Sequence, residues 1–137
     1  MSSVYESIMV EALTRLTDSV PFVPGSYGVR RSHRTAILRE QAPGAHLIDG
    51  EDRPQQGKPC GARQGEFTVS IFVRDDDAGA GDEYKVELYR RMAEPWAPGI
   101  VVRPGRIFVD TELADEDAAR IDCQFFVQYA TGGEWEL

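Results

Sequence analysis

A chain of 137 residues has the length of one domain, and its 42% apolar content supplies a core and excludes wholesale disorder. Fifteen Lys and Arg against 23 Asp and Glu leave a net charge of −8, a balance that does not by itself attract nucleic acid or an anionic membrane. No apolar run approaches the roughly 20 residues that span a bilayer. The amino end, MSSVYESIMVEALTRL, carries acids inside its apolar stretch and has no basic start. It is therefore not expected to act as a secretion signal, and the protein is expected to begin life in the cytoplasm. Cys60 and Cys123 are too few for a disulfide framework.

Ser3 followed by Glu6 fits a capping box, and Tyr5, Ile8, Met9, Ala12, Leu13 and Leu16 recur at helical spacing. The pattern predicts a helix from about Val4 to Thr17. Phe22 and Val23, between Pro21 and Pro24, form an extended connector. Val29 to Leu38 (VRRSHRTAIL) is either a strand entering a basic loop or a strand running through to Ile37, and Ala45 to Asp49 is a short strand. Gly50 to Gly65 is polar and rich in Gly, Pro and Gln, so it is a long loop or a hairpin arm.

Glu66 to Arg74 (EFTVSIFVR) has the period of two that a half-buried strand needs, with Phe67, Val69, Ile71 and Val73 on one face. Phe72 is the lone large aromatic on the other. An acidic, glycine-bearing turn follows, and Asp82 caps a second helix lined by Tyr84, Leu88, Tyr89 and Met92 and stopped at Pro95. Ile100 to Val102 and Ile107 to Leu113 are strand segments interrupted by a turn or bulge at Arg103-Pro104-Gly105. Ile107 and Val109 then face one side, Phe108 and Asp110 the other. Arg120 to Thr131 (RIDCQFFVQYAT) repeats the alternation, with Cys123 a small buried hydrophobe on the oily face and Phe126 breaking the polar one. Residues 132–137 form a flexible tail. The order predicts a single α+β domain: a largely antiparallel four- to five-stranded sheet with two helices packed on one face.

Candidate chemistry is sparse. Arg30, Arg31, His33 and Arg34 form the one dense basic cluster, either a grip for anionic oxygens or a face that is simply solvated or pairs with acids of this or a neighbouring chain. His33, His46 and Cys60 have no zinc-like spacing, Asp75 to Asp77 lack the offsets of a calcium loop, and no GxGxxG, GxxxxGK[ST] or GxSxG run is present. No catalytic, cofactor or metal residues are assigned. Phe72, Phe108 and Phe126 all occupy the outward register. A cross-strand cluster within the monomer or burial against a neighbouring subunit would cover them, and the enrichment of aromatics at interfaces points to the second.

Taken in order, the opening helix, VRRSHRTAIL, AHLID, GEFTVSIFVRDDD, DEYKVELYRRMAEP and ARIDCQFFVQYAT resemble the tail terminator family of long-tailed bacteriophages, also described as minor tail or tail completion proteins. The resemblance runs from about Val4 to Thr131 and is one of order, length and texture. It implies a non-enzymatic structural protein that forms a hexameric ring on the head-proximal end of the tail tube. The ring stops tube polymerisation and meets the head-tail connector, while DNA only passes through its channel. It implies assembly in the host cytoplasm followed by residence in the virion tail, with no membrane and no cofactor. Expected interface residues are Arg30, Arg31, Arg34, Phe72, Phe108 and Phe126. Two alternatives are a head-tail joining (neck) protein and a small binding domain that recognises an acidic or phosphorylated partner through the Arg30 to Arg34 segment.

Overall fold

The structure, a computed structural model, describes residues 3–17, 28–31, 37–58, 60–74, 78–110, 118–133 and 136. Ser3 opens helix α1 (Val4–Thr17): its Oγ accepts the amide of Glu6 at 3.0 Å, one of the first-turn donors that lack a helical acceptor. Only half of the capping box forms. The Glu6 carboxylate does not turn back to Ser3 but accepts from the Arg31 guanidinium at 2.6 and 2.7 Å. Tyr5, Ile8, Met9, Ala12 and Leu16 form one buried stripe, as the spacing requires.

Among the described residues the strands are β1 (Gly28–Arg31), β2 (Gly44–Pro54), β3 (Ala62–Val73), β4 (Val101–Asp110) and β5 (Ala119–Ala130), with helix α2 (Ala78–Ala93) between β3 and β4. They make one sheet in the order β1-β2-β3-β5-β4. β1 runs parallel to β2, and the other neighbours are antiparallel. This is the expected α+β domain, at the five-stranded end of the range.

The period of two sorts the strands as predicted. Leu47, Phe67, Val69, Ile71, Cys123, Phe125 and Val127 share the inner face, and both helices close over it. Phe67 and Phe125 stack there with ring centroids 5.2 Å apart, and Tyr89 of α2 leans on Phe125 at 5.5 Å. Cys123 is fully buried, and burial pushes its thiol up to about 11, which leaves it a packing residue.

β2 is longer than the short strand expected at Ala45 to Asp49. It continues to Pro54, so Gly50 to Gly65 is a hairpin, and its turn is confined to residues 55–61. The hairpin does not project as a free arm, because β5 pairs with β3 along its whole length, from Val73↔Ala119 to Ala62↔Ala130. Polarity hid the extension, since the residues beyond Asp49 line no oily face. The ladder between β2 and β3 slips between Asp49 and Asp52. Gly50 is required at that slip, because a Cβ there would stand 2.7 Å from the Glu66 carbonyl oxygen. The Tyr5 hydroxyl bridges the gap, accepting from the Gly50 amide at 3.1 Å and donating to the Glu66 carbonyl at 2.7 Å.

α2 starts at Ala78, a turn before the expected cap. Asp82 therefore lies inside the helix, where it pairs with Lys85 at 3.1 Å. The two segments expected to flank Arg103-Pro104-Gly105 are one strand, β4, and the interruption is a bulge between Pro104 and Ile107. Asp75 to Asp77, Asp115 to Asp117 and residues 134, 135 and 137 of the tail lie outside the described residues. No helix among the described residues is long and apolar enough to cross a membrane.

Candidate interaction surface

The face of the sheet away from the helices carries the residues that the alternation turned outward. Register sets Glu66 beside Phe126, Thr68 beside Gln124, Ser70 beside Asp122, and Phe108 of β4 on the far side of Asp122. The polar members satisfy one another. Ser70 Oγ donates to Asp122 Oδ1 at 2.6 Å, Gln124 Nε2 donates to Glu66 Oε2 at 3.3 Å, and the Arg120 guanidinium lies 3.4 Å from Asp122 Oδ2.

The apolar members are not equally satisfied. Phe108 is 53% exposed. Phe126 is half-buried because its ring lies against the β4 bulge, where a Cβ on Gly105 would come within 2.7 Å of Phe126 Cε2. Glu66, Thr68, Arg106, Phe108, Asp122, Gln124 and Phe126 thus line one open concavity of about 540 Å³. Its lining combines two carboxylates, an amide and a hydroxyl with two aromatic rings and one guanidinium.

Phe72 has the outward register expected of it but is 1% exposed, so it is not available to a neighbour. Residues of its own chain cover it: Ile37, Ala42 and Ala118 pack around it in a second small core. The amide of Ala118 donates to the Ile37 carbonyl at 2.9 Å and ties the two covering segments together. His46 of β2 is buried beside it, edge-on to the Phe72 ring at 4.8 Å. Phe72 sits at the end of β3 nearest these two connections, whereas Phe108 and Phe126 sit where no described segment crosses. The three phenylalanines share a register and divide between two fates.

The basic cluster divides as well. Arg31 forks onto Glu6 of α1, and its Nε and Nη2 donate to Asp49 at 3.0 and 2.8 Å, so its guanidinium is consumed within the chain. The two carboxylates raise the Arg31 pKa, and the Arg31 hydrogen bonds hold Glu6 below the usual carboxylate value of 4.5. Of the two possibilities left open for this segment, Arg31 takes the internal pairing. Arg30 is exposed on the outer face of β1. Arg34 and His33 lie outside the described residues.

Sequence reasoning foresaw an outward Phe108 on β4 but not the exposure of its neighbours on the other face. Ile107 and Val109 pair with Cys123 and Ile121 and so face the helix side, yet they are 46% and 61% exposed. α2 packs over β3 and touches β4 but leaves these two side chains uncovered. The signal was the run Ile107-Phe108-Val109: three consecutive apolar residues in a strand are apolar on both faces. Among the described residues no group of three or more His, Cys, Asp and Glu is placed to hold a metal ion. Comparison with protein-family models returns no match to this chain, and comparison with curated proteins returns none.

Proposed function

We propose that this chain is a structural virion protein: a tail terminator that forms a ring on the head-proximal end of a phage tail tube. There it ends tube polymerisation and offers a surface to the head-tail connector. The observation that carries the proposal is the concavity holding Phe126 and the 53% exposed Phe108, with Ile107 and Val109 exposed on the opposite face of the same strand. Exposed apolar surface of this kind, bordered by charge, is what a chain keeps in order to meet another protein.

A ring of identical subunits needs a heterologous contact in which two different patches meet and the rotation closes. The chain has two patches suited to it. One is the concavity with Glu66 and Asp122 between β3, β5 and β4, and the other is the opposite border of the sheet, where β1 carries Arg30. The net charge of −8 suits a conduit that DNA passes without sticking. The expected stoichiometry of six comes from the resemblance noted in the sequence.

The test is tail length. Tubes polymerised with the purified protein present should stop at a uniform length with a ring at one end, and tubes polymerised without it should overrun. Tubes of unchanged length with no ring would overturn the proposal. A ring found on the connector instead of the tube would move the protein to the neck.

A further inference from the structure

We propose that the β4 edge is a docking strand for the β4 edge of a second copy of this chain, paired antiparallel about a twofold axis through Phe108. β4 closes the sheet order β1-β2-β3-β5-β4, so among the described residues one side of its backbone has no strand neighbour. Proteins blunt such edges with proline, bulges, charge or brevity. The other border of the sheet carries charge, since Arg30 is one of the four described residues of β1. The first half of β4 is blunted too, by Pro104 and the bulge that follows it. From Ile107 to Asp110 there is no proline, glycine or bulge, and Ile107, Phe108 and Val109 are all exposed. Among the described residues this stretch is an open template for a strand.

The occupant follows from charge and parity. Extending the sheet onto the β1 edge of a neighbour would set Arg30 near Arg103 and Arg106, like against like. A second β4 does the opposite. In an antiparallel pair, facing residues direct their backbone groups the same way, so two copies of one strand pair only in registers centred on a residue. Centred on Phe108, the register sets Ile107 opposite Val109, Phe108 opposite Phe108, and Arg106 opposite Asp110 of the second copy. The run Arg-Ile-Phe-Val-Asp is thus complementary to itself when reversed. Centring on Ile107 or Val109 sets Phe108 against Arg106 or Asp110 and loses the match.

The paired sheets become continuous, with the helices of both copies on one side. Such a contact is isologous and closes after two copies. It cannot be the head-to-tail contact of a ring, so it goes beyond the terminator proposal and describes the chain off the tail.

Sedimentation of the full-length chain over a wide concentration range tests it. The unaltered protein should pass from monomer to dimer. Arg106→Asp and Asp110→Arg should each weaken the dimer on the order of 10-fold, since each sets like charges opposite one another twice. The double variant Arg106→Asp/Asp110→Arg should recover the lost affinity. A wild-type chain that stays monomeric would overturn the pairing, as would a dimer indifferent to both single changes or a double variant that fails to recover. Hydrogen exchange on the unaltered chain gives an independent readout. Amides within residues 106–110 should slow as concentration rises, and the absence of slowing contradicts the contact whatever the variants do. Tail length is unaffected by either outcome, so the two proposals fail separately.

Discussion

Arg15 is the side chain on which the two helices depend. It is 8% exposed, and its guanidinium donates to the carbonyls of Arg91, Glu94 and Pro95 at 3.0, 2.9 and 2.7 Å. Those carbonyls belong to or follow the last turn of α2, where acceptors lack helical donors and the dipole favours a cation. Trp96 completes the arrangement: its ring lies 3.9 Å under the guanidinium and its Nε1 donates to the Met92 carbonyl at 2.8 Å. Replacing Arg15 with Ala should therefore cost about 3 kcal/mol in denaturant unfolding. Arg15→Lys should recover only part of that loss, because an ammonium cannot fork across three acceptors. An Arg15→Ala chain as stable as the parent would show that the cap contributes nothing.

None of this was legible in the sequence. An arginine one position before the apolar Leu16 reads as the solvated side of α1, and its partners lie 76 to 80 residues away. Phe72 taught the same lesson in reverse. Alternation assigned its face correctly, but alternation says nothing about which connection crosses that face, and Ile37 and Ala118 cross there.

Between elements, Arg31 works as a clip. It sits on β1 and binds Glu6 of α1 and Asp49 of β2 together, so three elements meet in one ionic cluster. The Arg31 hydrogen bonds lower the Glu6 pKa in the folded chain, so the stabilisation is present above the unfolded value near 4.5 and is lost as pH falls through the folded value. Thermal melts should show Glu6→Gln below the wild type at neutral pH and the two converging in acid. A gap that stays constant into acid would contradict the clip.

α1 and β5 were legible nearly to the residue because a single oily face fixes the register, as was β3 from Glu66 onward, whereas its first four residues, Ala62 to Gly65, were expected in the loop or arm. β2 beyond Asp49 was not, since its pairing relies on backbone hydrogen bonds and on the Tyr5 hydroxyl spanning the slip at Gly50. The β4 bulge was legible from Pro104 and Gly105. The bare rim beyond it was written in the run Ile107-Phe108-Val109, but only the position of α2 showed that nothing in the described chain covers it.

For the whole molecule, one domain of 137 residues buries a sound core and still leaves Val101, Ile107, Phe108 and Val109 between 44% and 61% exposed along one border. Bringing such surface out of water gains about 25 cal/mol per Å² of apolar area, and other copies of the chain are the partners on which both proposals converge. The most direct measurement is the native mass of the purified protein by light scattering across concentration. The account predicts masses above the 15.3 kDa of one chain, with pairs forming first and a closed ring of a single size once tail tubes are added. A mass of 15.3 kDa at every concentration, with tubes or without them, would contradict it.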